Sequence, residues 1–502
     1  MATFTISFKL DTLSYQEDIL TKRFEIARLM HNAVLNVGYK RYKELTKTKA
    51  WRENQANISA INALSLDDEE RKKRLKPYYK IKSNLLKEYK LSEHELHKVV
   101  SPMQRHFKKN IDSFTAQKIA SRAWASFDKL LFGNGETVHF KSKNIGINSV
   151  EGKSNKTGIM YKKDENLLKW LGLEIKPKVN LNNQYECQAL EAEICYVRIK
   201  RKFIRGKYKY YMELVLKGAY PNKIDKNTGE TKYKLGSGTL GIDIGTQTIA
   251  YVSDINTKLL ELAPKVKNIE KEKRKILRYM DRSRRANNPD NYNKDGTIKR
   301  GIKLKWNNSK RYEKARSKLK DLYRRQKDIR RLEHNRLANE IISQADTVYV
   351  EEMNFKALQK KAKKTTVNKK TGRFNKKKRF GKSLGNKAPA MLIEIIDYKI
   401  NYKGGKLYKI NTKEVKASQY NHLDGSYEKK KLSQRWNNFS YNGKEIKVQR
   451  DLYSAFLIKN VTDDLCKVDD NKCNKSFDEF LKLHDKEINR LKGKKNLSSM
   501  GV

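Results

Sequence analysis

The sequence predicts a multidomain α+β protein. Three observations predict it: an alternating strand at the N-terminus that gives way to long helical periodicity, a run of β signals over 136–235, and, from Leu240 onward, three consecutive strands followed by alternating helices and strands. At roughly 100–200 residues per domain, a chain of 502 residues is expected to hold about three or four structural units.

The first strand rests on Phe4, Ile6, Phe8 and Leu10, which share one face while Thr5, Ser7 and Lys9 share the other. Leu20, Phe24, Ala27 and Val34 then fall on one helical stripe. A second helix is signalled by Ser92 with Glu95 three residues on, the pattern of a capping box. A third runs through Ile119, Ala123, Phe127 and Leu130. Residues 16–132 therefore read as a helical bundle set between β segments at 1–15 and 133–236. Gly133-Asn134-Gly135 ends it. The clearest β signal is a hairpin, Cys195 to Ile204, Arg205-Gly206, Lys207 to Leu216, in which Val197, Ile199 and Phe203 face Tyr208, Tyr210, Met212 and Leu214. Basic residues alternate with these apolar ones, so a positive outer face is expected.

Leu235-Gly236-Ser237-Gly238 reads as a linker. Leu240 to Ile244, Thr248 to Ser253 and Lys258 to Ala263 read as strands, and two very basic helical stretches follow at about 266–286 and 308–345. Leu319, Leu322, Ile329, Leu332 and Ile341 give the second an apolar seam, and Asn287 to Asn308 between them reads as loop. Thr347 to Val350 is a short strand ending on Glu351. Residues 360–382 hold twelve Lys or Arg and no acid, a composition that is flexible until an anion orders it. A helix from about Pro389 to Tyr402, a stop at Gly404-Gly405 and a strand from Lys406 to Ile410 close a block spanning 237–411. Residues 412–448 read as irregular, Arg450 to Val461 as an amphipathic helix, and Phe477 to Leu491 as a helix in the tail of a 449–502 segment. Strand, strand, strand, helix, strand, helix, strand, helix is the element order of an RNase H-like domain.

Charge narrows the function classes. Lys plus Arg total 112 against 57 Asp plus Glu, a net charge of +55. A fold gains nothing from such self-repulsion, so a polyanion is the expected partner, and nucleic acid leads because neutralising phosphates releases counterions. No apolar run approaches the ~20 residues of a membrane span, and Met1-Ala2-Thr3-Phe4-Thr5 lacks the basic start and apolar core of a signal peptide. Cys187, Cys195, Cys466 and Cys473 have no zinc-knuckle spacing and are too few for a disulfide scaffold, so reduced thiols are expected. Glu93-His94-Glu95-Leu96-His97 lacks the His four residues after His94 that a zinc-protease helix needs, and Lys98 stands there. No Gly-rich phosphate loop points to ATP.

Three acids carry the chemistry. Asp243 lies inside the apolar strand Leu240-Gly241-Ile242-Asp243-Ile244-Gly245, where a carboxylate is costly unless something pairs with it. Glu351 ends Val348-Tyr349-Val350-Glu351, and Asp451 opens the late helix. Each has an ordinary reading alone: a turn or cap for Asp243, a solvated strand end beside Glu352 for Glu351, an N-cap for Asp451. In an RNase H-like order, however, the three places converge at one edge of the sheet. Carboxylates brought together repel, and divalent metal relieves the repulsion. Two Mg²⁺, or Mn²⁺ in their place, about 3.5–4 Å apart would activate water and stabilise the leaving oxygen of a phosphodiester.

These segments resemble the motifs of the transposon-encoded TnpB proteins and the miniature type V-F CRISPR effectors, RNA-guided DNA endonucleases with a split RuvC domain. Leu240 to Gly245 is similar to their first RuvC motif, Val348-Tyr349-Val350-Glu351-Glu352-Met353-Asn354 to the second, and Arg450-Asp451-Leu452-Tyr453-Ser454-Ala455 to the third, with Ser454 where the family usually has Asn. Arg379-Phe380-Gly381-Lys382-Ser383 matches a further stretch. The likeness covers about 235–460 well and the front more loosely. It implies an N-terminal β-barrel wedge domain (1–15 and 133–236) interrupted by a helical recognition domain (16–132), then a RuvC domain (237–411 and 449–502) with a basic helical insertion at 266–345 and a basic loop at 360–382. It also implies a target-loading insert at 412–448. The family's four-cysteine zinc element is absent, since no cysteine lies between Glu351 and Asp451. The insert, with Ser418-Gln419-Tyr420-Asn421-His422 and Leu432-Ser433-Gln434-Arg435-Trp436, is therefore expected to fold without structural zinc.

The resemblance implies a Mg²⁺-dependent RuvC endodeoxyribonuclease with Asp243, Glu351 and Asp451 as catalytic metal ligands and Arg435 near the scissile phosphate, although Arg435 is also simply one of 112 basic residues. It implies a guide RNA, double-stranded target DNA carrying a short adjacent motif, no membrane, and a monomer or an asymmetric homodimer on one guide. A cytoplasmic, nucleoid-associated location in a bacterium goes with that. A heteroduplex is gripped by its backbone while base pairing reads sequence, and Lys273, Arg274, Arg278, Arg324, Arg325, Arg330, Arg331, Lys377, Lys378 and Arg379 are the expected contacts. Tyr279, Trp306, Tyr312 and Tyr323 interleave with this charge and either stack on bases or pack into helix seams. Tyr39, Tyr42 and Trp51 are candidates for reading the adjacent motif. The alternative is a nuclease-inactive RNA-guided repressor of the same fold. A nonspecific RNA-binding protein explains the charge but not Asp243.

Overall fold

A computed structural model gives the fold and describes residues 2–502 apart from 133–134, 226, 361–365, 369–370, 373, 375–379, 432 and 495–496. The chain forms two compact units, Met1–Asn222 and Lys223–Val502.

In the first unit, β1 (Thr3–Asp11) alternates strictly, burying Phe4, Ile6, Phe8 and Leu10. Five helices follow: α1 (Ser14–Lys47), α2 (Lys49–Ala63), α3 (Asp68–Glu88), α4 (Glu93–His106) and α5 (Ser113–Leu131). Leu20, Phe24, Ala27 and Val34 are buried along α1. Where α1 meets α5, Gly38 admits the Phe127 ring, which a Cβ would meet at 2.7 Å. The Ser92 hydroxyl caps α4 by accepting from the Glu95 N–H at 3.2 Å. The Glu95 carboxylate instead accepts from Lys98 at 2.6 Å, so only half of the capping box forms. His97 meets the Ser121 hydroxyl at 3.0 Å, the contact of an ordinary helix side chain.

Strands β2 (Ser149–Glu151), β3 (Met160–Lys162), β4 (Leu167–Trp170) and β5 (Leu173–Pro177), helix α6 (Gln184–Glu191), and strands β6 (Ile194–Ile204) and β7 (Lys207–Lys217) complete the unit. The sheet order is β2-β6-β7-β1-β5-β4-β3, antiparallel throughout. Among the described residues its end strands, β2 and β3, are not hydrogen-bonded to each other. The β6–β7 hairpin turns on Arg205 and Gly206, both at positive φ (49° and 87°), the geometry of a type I′ turn that matches strand twist. Val197 faces Leu214, Ile199 faces Met212 and Phe203 faces Tyr208. Its outer face is less positive than the alternation predicts, because Glu213 pairs with both Arg198 (3.4 Å) and Lys200 (2.8 Å). Helices and sheet share one hydrophobic core, which is why they form one unit rather than two.

In the second unit, β8 (Thr239–Ile244), β9 (Thr248–Ser253) and β10 (Thr257–Glu261) lead into α7 (Glu270–Asn287), α8 (Lys310–Ile342) and β11 (Thr347–Glu351). Then come α9 (Phe355–Gln359), α10 (Gly381–Lys387), α11 (Pro389–Tyr402), β12 (Lys406–Ile410), α12 (Thr412–Val415), β13 (Tyr420–Asn421), β14 (Ser426–Tyr427), β15 (Trp436–Tyr441), β16 (Lys444–Gln449), α13 (Arg450–Lys459) and α14 (Asp470–Leu491). The five-stranded sheet has the order β10-β9-β8-β11-β12. Its first three strands are antiparallel and its last three parallel, the arrangement expected of an RNase H-like domain.

Four expectations change. The supposed linker is packed, with the Gly236 N–H donating to the Ile342 carbonyl at 2.9 Å. The seam of α8 holds at Ile341, which is buried, and is half-buried at Leu319 and Leu322, but Ile329 and Leu332 are exposed, and Gln326, His334, Ala338 and Ile342 are buried beside it. Residues 412–448 hold a short helix and two hairpin ladders, β13–β14 and β15–β16, which join the core through Tyr420 and Phe439. Helix α13 is buried from Leu452 to Lys459 on every side rather than amphipathic, because sheet, insert and tail helix enclose it.

Candidate active site

The sheet sets two of the acids side by side. In the parallel β8–β11 register, Tyr349 lies beside Gly241 and Val350 beside Ile242, so the next step brings Glu351 beside Asp243 at the ~4.8 Å spacing of adjacent strands. Alternation divides the faces. Leu240, Ile242 and Ile244 enter the core formed with α8 and α11, while Gly241 and Asp243 face α13.

Gly241 brings the third acid in. A Cβ there would stand 2.8 Å from Lys459 Cα and closer still to the Ala455 carbonyl oxygen and the Lys459 nitrogen. Helix α13 therefore crosses directly over this glycine. Its direction is fixed at the far end, where Lys459 pairs with Asp254 at 2.6 Å and Asp254 accepts from the Thr239 N–H at 3.1 Å. The helix therefore runs against β8. Asp451 stands four residues before Ala455, about 6 Å along the axis, and Asp243 two residues beyond Gly241, about 6.6 Å along the strand. The two displacements match.

The helix start is braced without Asp451. Gln449 is the N-cap, its side-chain oxygen accepting from the Leu452 N–H at 2.8 Å, so the N-cap reading of Asp451 is excluded. The Gln449 N–H donates to His484 Nε2 of α14 at 3.0 Å, and its side-chain amide to the Met500 carbonyl at 3.0 Å. The tail thus fixes where α13 begins.

The three acids form one electrostatic cluster. Asp243 is held well above the usual carboxylate range, first by burial, then by the charges of Asp451 and Glu351, with Arg450 opposing. Burial pushes Glu351 up to about 7. The cations sit on Asp451: Arg450 Nη2 lies 3.2 Å from its Oδ1 and Arg435 Nη1 lies 3.9 Å from its Oδ2. Arg450 also donates to the Gln434 carbonyl at 3.1 Å. The expected Arg435 is thus at the cluster, and Arg450 is the residue that sequence reading passed over, although its place beside Asp451 at a helix start was a visible signal. Three carboxylates are a donor set that suits a hard divalent cation. Among the described residues, however, no three His, Cys, Asp or Glu side chains are gathered closely enough to hold a metal as they stand.

The expected nucleic-acid contacts divide. Arg274, Arg278, Arg325 and Arg331 are exposed on α7 and α8. Lys273 pairs with Glu270 at 3.1 Å, Arg324 with Asp321 at 2.7 Å and Asp328 at 2.8 Å, Arg325 with Asp321 at 2.8 Å, and Arg330 donates to the Gly385 carbonyl. Lys377, Lys378 and Arg379 lie outside the described residues, as does most of the basic loop. Of the aromatics, Tyr279 and Tyr323 are exposed, Trp306 packs under Arg284 (5.3 Å) and Trp51 is buried. All four cysteines are unpaired, and among the described residues no helix is long and apolar enough to cross a membrane.

No family model and no curated protein matches the chain. Among solved structures it is similar to a Cas12f1–sgRNA–target DNA complex, with 11% identity, a TM-score of 0.41, and coverage of 91% of this chain and 99% of that one. It is also similar to a CRISPR-Cas12f ternary complex, with 13% identity, a TM-score of 0.24, and coverage of 88% and 82%. At these scores the likeness is loose, and the acidic cluster stands on its own geometry.

Proposed function

We propose that the chain is an RNA-guided DNA endonuclease that hydrolyses target phosphodiesters at a single RuvC-type site and requires Mg²⁺ or Mn²⁺. One observation carries this reading: Asp243, in the middle of an apolar strand, is set beside Glu351 and under Asp451 at the price of mutual repulsion. A fold that needed only stability would not gather three acids there. The net charge of +55 supports a nucleic-acid partner, and the sequence motifs support guide RNA and target DNA. Asp243, Glu351 and Asp451 would hold the metal, which when bound activates water and stabilises the leaving oxygen. The chain's own part is to hold three carboxyl groups in register and to offer Arg435 and Arg450 to a phosphate once Asp451 releases them.

The decisive experiment is cleavage of a matched duplex by the purified ribonucleoprotein, with Mg²⁺ and with EDTA. Cutting that EDTA abolishes is expected, along with a copurifying RNA that contains the target's complement. The alternative is a guided binder of the same fold that does not cut. Tight, guide-dependent binding with no cleavage in Mg²⁺ or Mn²⁺ would establish it.

Arg450 competes with metal for Asp451. Arg450→Gln is therefore expected to lower the Mg²⁺ concentration giving half-maximal cutting, by up to about fivefold for a pair worth ~1 kcal/mol. An unchanged or higher midpoint would assign Arg450 to the substrate instead.

A further inference from the structure

The first unit contains a cavity of about 90 Å³, roughly three times the ~30 Å³ share of one liquid water. It is lined by His31 of α1, by Ile119, Arg122 and Ser126 of α5, and by Lys141 and Ile147 of the segment after α5. The spacing 119, 122, 126 puts the three α5 residues on one helix face. The position of Lys141 is built in. Its carbonyl accepts from Arg28 and from Asn32, both at 2.9 Å, and its N–H donates to Asn32 Oδ1 at 2.8 Å. Arg122 donates to the Ser149 carbonyl at 2.6 Å, which leaves most of its guanidinium donors unused.

The charge in this cavity is one-sided. Nearby Glu25 is engaged by Arg28 at 2.7 Å and Glu151 by Arg198 at 2.9 Å. A third cation, Arg201, lies behind Ile147, donating to its carbonyl at 2.9 Å, with aromatic rings rather than a carboxylate on its faces. At the floor, His31 is only 5% exposed and its Nε2 is buried with no hydrogen-bond partner. Burial, then Lys141 and Arg122, push the ring down to about 4, so it is neutral. Its N–H faces the backbone of Ile119, which leaves Nε2 as an acceptor. A buried polar atom without a partner costs about 1–3 kcal/mol, so this nitrogen awaits a donor.

The required ligand is an anion that also carries one hydroxyl. An internal phosphodiester has no such proton. A phosphate monoester carries one in its monoanionic form, the major form below its second pKa near 6, and a buried acceptor that hydrogen-bonds this proton favours that form. We propose that this cavity is a phosphate-monoester site, in which Arg122, Lys141 and Ser126 donate to phosphoryl oxygens and the single P–OH donates to His31 Nε2. The assignment stands apart from the nuclease reading. The same chemistry is offered by the terminal phosphate of a nucleic-acid strand and by free inorganic phosphate.

The test uses the full chain at one fixed ionic strength and at about pH 6, where the monoanion of a phosphate monoester is well populated. Titration with inorganic phosphate is compared with titration by two oligoribonucleotides of one sequence, one 5′-phosphorylated and one 5′-hydroxyl. Because the twins share every internal phosphate, nonspecific binding cancels. Saturable phosphate binding is expected, about tenfold weaker in Lys141→Gln and in Arg122→Gln for one charge-assisted hydrogen bond lost, and largely kept in Lys141→Arg. A roughly tenfold preference for the phosphorylated twin assigns the site to strand ends. Equal twins with phosphate still bound assign it to free phosphate. No saturable phosphate binding with equal twins, or binding that both glutamine variants leave unchanged, overturns the proposal and makes the cavity a hydrated pocket.

Discussion

Replacing Asp243 with Asn is expected to abolish target cleavage, by at least ~10³-fold for the loss of several kcal/mol of metal-borne charge stabilisation, and at the same time to make the metal-free protein more stable. The two effects have one cause. Asp243 is raised well above its ordinary range by burial and by the charges of Asp451 and Glu351. Glu351 is at about 7 against an ordinary 4.5. A carboxyl whose folded pKa is raised binds more protons folded than unfolded, so stability falls as pH rises between about 4.5 and 7. As the acids ionise the wild-type chain bears their mutual repulsion, and Asp243→Asn removes it. The expected gain is on the order of 1–3 kcal/mol, a rise of a few °C in the melting temperature of a unit of this size. Mg²⁺ should raise the wild-type midpoint, increasingly so as pH rises through 7, because the metal binds only ionised carboxylates. It should do little to the variant, while RNA binding is unchanged. A variant that melts lower than wild type without metal would show that Asp243 is structural and would sink the cluster reading.

What the sequence made legible follows from how each signal is encoded. The strands β8, β9 and β11 and the hairpin β6–β7 were readable because period-two alternation and a positive-φ Arg205-Gly206 turn are local properties. Asp243 was readable because a charge within Leu-Gly-Ile-Asp-Ile-Gly violates a local rule. The side-by-side placement of Asp243 and Glu351 follows from a parallel register spanning more than a hundred residues, and only the element order hinted at it. The burial of α13 on every side was not legible, since amphipathic spacing says where apolar residues lie and not how many neighbours will cover the rest. The middle of the α8 seam failed for the same reason: Ile329 and Leu332 have helical spacing but remain exposed, while Ile341 is buried. Gln449, rather than Asp451, as the N-cap needed the His484 and Met500 contacts, which arrive from the tail.

Gly241 yields the second large effect, and it opposes the first in sign. Gly241→Ala adds one methyl, but the atoms it meets are backbone, the Ala455 carbonyl and the Lys459 nitrogen and Cα. Rotamer changes cannot relieve that clash, so α13 must lift from the sheet or β8 must bend. Overpacking of this kind costs typically 1–3 kcal/mol or more, seen as a melting temperature several °C below wild type. Lifting α13 also carries Asp451 away from Asp243 and Glu351, and a displacement of about 1 Å at such a site can cost ~10²-fold in rate. Two residues on one face of one strand thus both lose cutting but give opposite shifts in stability, Asp243→Asn upward and Gly241→Ala downward. Ala455→Gly should not rescue Gly241→Ala, because the obstructing atom is the carbonyl and not the side chain. A Gly241→Ala protein that cuts and melts like wild type would mean that α13 does not lie over the strand, and the convergence of the third acid on the first two would fall with it.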